Sequence, residues 1–399
     1  MRSAAFLKFV GASALSPLLM VSVLGQPAPS RESQRQAALA LEQAGKTDEA
    51  EAAWRSLLIG QPNSAEAYAH LGLLEARQEH YKQAIASYRK ALSINPNIPG
   101  LRFNLGLSLF KSGEMRGAIL VFEPLLKSEP GSSPEAMRLV TLIGLAHFGV
   151  GDYSASIPYL RQATAADPGN LPFRMMLAQS CLWSKQNQCV LDVYHEIMGI
   201  NPDSAEADML AGQAYDEMQK DGDALAQFQA AVKANPAFPN VHFGYGYLLW
   251  KGRRYDEAET EFRAEVANNP DHPLAFAYLG DTEMHLNDYD RAVPDLEHAV
   301  RTRQSLVIAH LDLGIIYESQ GRNADALAEL KTAETLSPND SSIHYQLGRF
   351  YKSVGLKQKA KAEFDQTKDL LQSKAQTVQE QMHQIAPKPS GQDIELAPK

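Results

Sequence analysis

A helix terminator recurs along this chain at a nearly constant interval, and that interval limits the fold more than any other feature of the sequence. Proline follows an apolar helical pattern at steps of 34 residues, apart from one step of 38 and one double step of 68. These prolines are Pro62, Pro96, Pro130, Pro168, Pro202, Pro236, Pro270 and Pro338. The residue before a proline is pushed out of the α region, so each proline marks a helix end. A stop that returns at a fixed spacing predicts tandem repeats.

Two ladders of small residues run in register with the prolines. Gly or Ala lies 24 residues before each proline, as at Gly72 and Gly212, and another small residue usually follows 12 positions later, as at Ala84 and Ala224. Two helices approach closely where the side chains between them are small. The ladders therefore predict helix–turn–helix units in an all-α chain.

The unit at 65–98, AEAYAHLGLLEARQEHYKQAIASYRKALSINPNI, resembles the tetratricopeptide repeat family. The residues that carry the resemblance are Leu71, Gly72, Ala84, Tyr88, Ala91 and Pro96. The same pattern gives about ten repeats over 31–374. The resemblance implies a right-handed superhelical α-solenoid whose first helices line a concave groove that binds peptide segments.

The amino terminus has the layout of a secretory signal peptide over residues 1–25. Arg2 and Lys8 precede an apolar stretch, and a cleavage site after Gly25 suits the small residues there. The alternative is an uncleaved anchor, but the segment contains Pro17 and falls short of the roughly 20 apolar residues that a span needs. We expect a periplasmic or secreted protein with no stable membrane insertion after cleavage.

The period is disturbed at one junction, residues 124–136. Pro124 lies well inside a second helix, and four extra residues enter at 133–136. Since each repeat of a solenoid contacts only its neighbours, one poor interface predicts a hinge there. The alternative is a local bulge. At the other end, we expect a capping helix over 375–386 and a disordered tail over 387–399.

Charge and motifs argue against several classes of function. The formal net charge of −9 disfavours a phosphate backbone, so we expect no nucleic-acid partner. The GKT at 45–47 lacks the glycine and the strand of a phosphate loop, since residue 40 is Ala40. No HExxH or HxxxH pair occurs, and His242, His310 and His344 share one repeat position. We expect no catalytic residues, no metal and no cofactor.

The two cysteines, Cys181 and Cys189, lie on the two helices of one repeat. An oxidising compartment favours a disulfide across this hairpin. The alternative is a pair of buried thiols.

The predicted partner-binding groove is rich in aromatic side chains and methionine. Its residues are Phe103, Leu107, Phe110, Leu145, Phe148, Met175, Trp183, Met209, Phe243, Tyr247 and Trp250, with Lys111, Lys251 and Glu217 as rim charges. The alternative is that several of these aromatics only pack neighbouring first helices. Trp183 and Tyr247 argue for a binding surface, because the family's corresponding positions face solvent and an exposed apolar strip usually marks an interaction site.

The leading hypothesis is a non-enzymatic exported scaffold that binds a protein or peptide segment and supports assembly of a cell-envelope complex. One alternative is an accessory subunit of a polysaccharide synthesis or export machine. Another is an enzyme with an unrecognised site in the groove, which a cluster of carboxyls with shifted pKa values would favour.

Overall fold

The computed structural model describes residues 30–131 and 133–385, and these residues divide into two compact units. The N-terminal unit ends at Lys127 and the C-terminal unit begins at Ser128. The predicted signal peptide and the predicted tail lie outside the described residues. The boundary between the units falls inside the 124–136 segment, while the hinge itself stays a prediction.

The described part of the N-terminal unit consists of three helical hairpins. Its helices are α1 Arg31–Gln43, α2 Thr47–Gly60, α3 Ala65–Arg77, α4 Tyr81–Ile94, α5 Leu101–Lys111 and α6 Met115–Ser128, the last of which contains Pro124 and ends one residue past the boundary.

The described part of the C-terminal unit consists of seven further hairpins. Their helices are α7 Pro134–Gly149, α8 Tyr153–Ala166, α9 Leu171–Trp183, α10 Asn187–Met198, α11 Ala205–Glu217, α12 Asp221–Ala234, α13 Val241–Lys251, α14 Tyr255–Asn268, α15 Pro273–His285, α16 Tyr289–Thr302, α17 Val307–Ser319, α18 Asn323–Leu336, α19 Ser341–Ser353 and α20 Lys357–Ile385. Within the described residues there is no β-strand, so the predicted all-α architecture of about ten repeats is confirmed.

Helix ends follow the sequence signals. Several second helices, such as α4 and α12, end two residues before the recurring proline. Many first helices begin after a side-chain cap, as where the Ser64 hydroxyl accepts the backbone N–H of Ala67 at 3.2 Å. Each hairpin turn then needs one residue with a left-handed backbone, and five of the ten are glycine. These residues are Gly45, Glu79, Gly113, Gly151, Lys185, Gln219, Arg253, Asn287, Gly321 and Gly355.

The small-residue ladder marks where the two helices of a hairpin cross. A Cβ atom at Gly72 would lie 2.6 Å from the ring of Tyr88, and one at Gly212 would lie 2.7 Å from the ring of Phe228. Tyr88 and Phe228 are both buried, so the bulk at each crossing comes from the second helix. The crossing predicted from the ladders is confirmed at these positions.

Two further features were predicted from the sequence, the last helix and the cysteine pair. α20 continues without a break from the tenth repeat through the predicted cap, since it runs from Lys357 to Ile385. Cys181 and Cys189 are joined by a disulfide, with their Cα atoms 5.7 Å apart. The Arg161 guanidinium lies 3.2 Å from Cys189 Sγ.

Among residues 30–131 and 133–385, no helix has the length and apolar character that a membrane span requires.

Candidate functional site

The predicted groove residues are divided between the two units. Phe103, Leu107 and Phe110 lie on α5 of the N-terminal unit, where each side chain is half-buried. The others lie on first helices of the C-terminal unit, namely Leu145 and Phe148 on α7, Met175 and Trp183 on α9, Met209 on α11, and Phe243, Tyr247 and Trp250 on α13. We call the face of these helices in the C-terminal unit, together with the corresponding faces of α15 and α17, the first-helix surface.

Trp183 belongs to an exposed aromatic cluster at one edge of the first-helix surface. Its side chain is 50% exposed, although it contacts Tyr153 and Phe148 at centroid distances of 4.5 and 5.8 Å. Tyr153 begins the second helix of the same hairpin as Phe148, and the groove pattern did not include it. A half-exposed tryptophan held by two other rings is a preformed apolar contact surface.

Trp250 lies in a second, more enclosed aromatic cluster. Its ring contacts Tyr247 and Tyr278 at centroid distances of 5.9 and 5.0 Å. Its indole N–H donates a hydrogen bond to Asp281 on the next first helix, α15. Trp250 therefore connects adjacent repeats, whereas Trp183 keeps half of its surface free for a partner.

A pocket of about 260 Å³ lies between α11 and α13. Its apolar lining includes Met209, Phe228, Phe243, Tyr247 and Leu248, and its polar lining is Gln213, Asp216, Glu217 and Asn240. Three of these residues belong to the groove predicted from the sequence, namely Met209, Phe243 and Tyr247. Part of the groove predicted from the sequence thus lines a single cavity.

Gly244 also lines this pocket, and sequence reasoning missed its role. The residues that correspond to it in the neighbouring repeats are large, as at Leu210 and Tyr278. A Cβ atom at Gly244 would lie 2.8 Å from Cδ1 of Phe228 and nearer still to Cε1. Because Gly244 has no side chain, the ring of Phe228 fits beside α13. Comparison of the aligned repeats would have shown that glycine at this position is an exception.

Two lysines form ion pairs with the carboxylates at the mouth of the pocket. The Lys251 ammonium lies 2.7 Å from Asp216 and 3.0 Å from Asp221, and the Lys185 ammonium pairs with Glu217. The lysine side chains are 41% and 74% exposed, so both pairs are screened by solvent. These pairs hold the acidic groups in place without burying them.

A buried pair of carboxyls links α15 to α17 beside the enclosed aromatic cluster. Burial raises the pKa of Asp312 well above its usual range, and Asp281 raises it further. Burial also raises the pKa of Asp281, despite the hydrogen bond from Trp250. No described N–H or O–H group donates to Asp312 Oδ2. The raised pKa values favour a proton held by this pair of carboxyls.

A second carboxyl pair, Glu283 and Asp295, joins α15 to α16. Burial and the neighbouring Asp295 raise the pKa of Glu283 to about 8, although the Arg263 guanidinium donates to Glu283 Oε1. Glu283 Oε2 has no N–H or O–H donor among the described residues. Neither pair lines the pocket between α11 and α13, and burial is the largest cause of the raised pKa of each of these four carboxyls.

A group of three side chains with the atom types of metal ligands lies between the last two repeats. Single ligand atoms of Glu334, His344 and Glu363 lie within 4.8 Å of one another. The Lys331 ammonium is 2.8 Å from Glu334 and 3.6 Å from Glu363, so a cation of the chain already balances both carboxylates. His344 Nδ1 lies 2.8 Å from Glu363, as His310 Nδ1 approaches Glu329 at 2.5 Å one repeat earlier. These pairs form a repeated structural contact.

Family models match most of the described chain. Models described as tetratricopeptide repeat match residues 209–273, 279–341 and 147–213. A model described as the middle TPR-like domain of cilia and flagella-associated protein 70 matches residues 35–165.

Curated relatives are distant and longer than this chain. Anaphase-promoting complex subunit 3 of Schizosaccharomyces pombe is 20% identical over 297 residues, which cover 66% of this chain and 44% of the relative. Cellulose synthase operon protein C of Pseudomonas fluorescens is 27% identical over 315 residues, or 70% of this chain and 23% of the relative. The peroxisomal targeting signal receptor of Eremothecium gossypii is 24% identical over 234 residues, or 58% and 40%. The chain thus spans less than half the length of these relatives.

Solved structures that resemble this chain also have low sequence identity to it. A tetratricopeptide repeat protein from Parabacteroides merdae is 18% identical, with a TM-score of 0.47 over 67% of this chain and 97% of that one. YrrB, described as having an unusual peptide-binding site, is 19% identical, with a TM-score of 0.38 over 44% and 91%.

Proposed function

Because the chain belongs to the tetratricopeptide repeat family, we propose that it is a non-enzymatic scaffold that binds a protein or peptide segment on the first-helix surface of repeats four to seven. The observation that carries the proposal is the pocket between α11 and α13, which combines an apolar lining with amide and carboxylate groups at its mouth. A concave, mostly apolar site with a few placed polar groups is the usual form of a binding site. The name of one relative, a peroxisomal targeting signal receptor, also describes recognition of another protein's segment.

The proposal includes export and a role in assembling a cell-envelope complex. Its support is the sequence of residues 1–25 and the disulfide between Cys181 and Cys189, which suits an oxidising compartment.

Intact mass spectrometry of the unreduced protein, recovered from the cell envelope or medium, tests export and oxidation together. We expect a chain that begins at Gln26 and is lighter by two hydrogen atoms than the reduced form. The reason is that signal cleavage removes residues 1–25 and the disulfide removes two thiol hydrogens. An intact Met1 would contradict cleavage, and two free thiols would contradict the bridge.

The similarity to a cellulose synthase operon protein favours a second candidate, an accessory subunit of a polysaccharide synthesis or export machine. This candidate uses the same first-helix surface and differs only in the partner. Affinity purification from the native envelope distinguishes the two, because a synthase or an outer-membrane pore among the recovered proteins would favour the polysaccharide machine.

Trp183 provides the most direct test of the binding surface. We expect Trp183→Ala to weaken partner binding by roughly 1 to 2 kcal/mol, because an exposed tryptophan at an interface is often a binding hot spot. The helical content should stay unchanged, since half of the side chain already faces solvent. Calorimetry with the purified partner measures the loss.

The partner is first recovered by replacing Trp183 with a photo-crosslinking phenylalanine. Leu336 on the second helix α18 is the matched control, because it is also a large exposed apolar side chain but does not lie on the first-helix surface. Crosslinks from position 183 and none from position 336 are expected. Equal crosslinking from both positions, or wild-type affinity of Trp183→Ala, would contradict binding on the first-helix surface.

A further inference from the structure

The pocket between α11 and α13 has a chemistry that selects its occupant. Its walls are apolar, and Asp216 and Glu217 supply its charged groups. Resting on the proposed function, we propose that the pocket takes one large apolar side chain of an extended partner segment, and that a lysine or arginine beside it in the same segment binds Asp216 and Glu217. The partner is therefore a basic, apolar segment.

The size of the pocket suits a single anchor. Its volume of about 260 Å³ accommodates one large aliphatic or aromatic side chain. Phe243, Tyr247 and Met209 surround this volume, and aromatic rings and methionine adapt well to a buried apolar group. Gln213 offers an amide group that suits the backbone of an extended segment, and Asn240 offers its amide N–H groups, since its Oδ1 lies 2.8 Å from His272 Nε2.

The carboxylates at the mouth are accessible to a cation from a partner. Lys185 and Lys251 balance them from exposed positions. Ion pairs of exposed lysines are screened by solvent, so exchanging one ammonium group for another costs little. A partner's guanidinium also binds a carboxylate through two parallel hydrogen bonds, which a lysine cannot do.

Charge along the neighbouring first helices favours the same occupant. Four acidic residues lie on α11, two on α15 and two on α17, whereas the only lysine or arginine on α11, α13, α15 and α17 is Lys251. Burial raises the pKa of Asp208, Asp281, Glu283 and Asp312, and the other four acidic residues, Glu206, Asp216, Glu217 and Glu318, still outnumber this single base. The flanking helices α9 and α19 carry arginine or lysine and no acidic residue. Among the first helices α9 to α19, the acidic excess thus lies on α11, α15 and α17, and it favours a basic segment.

Selection from a random decapeptide library displayed on phage tests this specificity on the full-length protein. We expect the selected peptides to carry an aromatic residue, leucine or methionine next to lysine or arginine. The binding of synthetic copies of these peptides should weaken with added salt, because the charges at the mouth are exposed.

The decisive variant is Gln213→Arg. Gln213 is exposed and lines the pocket, so an arginine there reaches Asp216 and Glu217 three and four residues along the helix without disturbing the core. We expect it to lower the affinity of the selected peptides by roughly tenfold. Gln229→Arg places the same charge at an exposed position of α12 that does not line the pocket, and it should change affinity by less than about twofold. Glu217→Gln is a second variant, and it should also weaken binding.

The outcomes separate this inference from the proposed function. Selected peptides that lack a basic residue, or that bind Gln213→Arg as tightly as the wild type, overturn the basic occupant while crosslinking at Trp183 still supports binding on the first-helix surface. Failure to select any peptide overturns this inference, and absent crosslinks from Trp183 overturn the proposed function separately.

Discussion

Raising the pH from about 6 to about 9 should lower the free energy of unfolding of the C-terminal unit, and Asp295→Ser should remove much of this loss. We expect Glu283 to account for roughly 2 to 3 kcal/mol of the loss in the wild type, because its pKa in the folded state is about 8 and one pKa unit corresponds to about 1.4 kcal/mol. The stability of the variant should depend less on pH.

The fall in stability with rising pH follows from the raised pKa of Glu283. Below the ordinary pKa of a glutamic acid, Glu283 is protonated in both the folded and the unfolded chain, and its contribution to stability is complete. As the pH rises through about 8, the folded protein must either ionise this buried group or unfold. The groups that act on it are Asp295 and Glu259, which raise its pKa, and Arg263 and Arg291, which lower it.

The N-terminal unit contains the same network with one difference. Arg55 donates to Glu75 at 2.9 Å, as Arg263 donates to Glu283, but the second oxygen of Glu75 accepts a hydrogen bond from the Ser87 hydroxyl at 2.7 Å. Asp295 occupies the repeat position of Ser87 and cannot donate unless a proton is present. Asp295→Ser therefore gives Glu283 the donor that Glu75 already has, and its pKa should fall.

Urea denaturation at about pH 6 and about pH 9, followed by circular dichroism and by hydrogen exchange of α15 peptides, measures the effect. Other groups lose stabilisation over the same range. Hydrogen bonding to Glu329 raises the pKa of His310, while burial lowers that of His344 but is outweighed by bonds to Glu363 and the Pro338 carbonyl. These contributions are present in both proteins, so the difference between wild type and variant reports the Glu283–Asp295 pair, in which burial raises the pKa of both carboxyls.

Asp290→Ser is the matched control, because Asp290 is exposed on the same helix, α16. It should leave the pH dependence at its wild-type slope. An Asp295→Ser protein that loses as much stability as the wild type would show that Asp295 does not raise the pKa of Glu283.

Much of the fold follows from the sequence because its determinants are local and repeated. A proline two residues past a helix, a cap before it and a small residue at a crossing each act over a few positions, and ten copies make the pattern plain. The hairpin turns show the limit of this reasoning. Glu79, Lys185, Gln219, Arg253 and Asn287 adopt the left-handed backbone that glycine favours, so position in the repeat decides the conformation more than residue type does.

The site was less predictable because its contacts join different repeats. The aromatic positions on α13 were predicted, but the bond from Trp250 to Asp281 spans 31 residues and depends on how adjacent repeats pack. The raised pKa values of the buried carboxyls were also not predictable, since a sequence does not show which carboxyls lie against each other. Comparing the corresponding residues of neighbouring repeats would have identified Gly244 and Glu283 as exceptions, since Leu249 and Tyr317 occupy the place of Glu283.

Gly244→Ala should be among the most destabilising of the small substitutions in the C-terminal unit. We expect it to lower the free energy of unfolding by roughly 1 to 3 kcal/mol, because the new methyl group overlaps the buried ring of Phe228. The ring has little room to retreat, since Gly212 approaches it from its own repeat and a Cβ there would lie 2.7 Å away. Urea denaturation gives the difference in stability.

Gly222→Ala is the matched control in the adjacent repeat, because Gly222 lies in α12, the helix that carries Phe228, with no atom within 4 Å of the new methyl group. It should stabilise the protein by about 0.5 to 1 kcal/mol, since alanine favours a helix over glycine. Opposite signs for the two substitutions would establish that Gly244 is required by packing. If Gly244→Ala is neutral, the ring of Phe228 moves freely, and the pocket between α11 and α13 is then adjustable in shape.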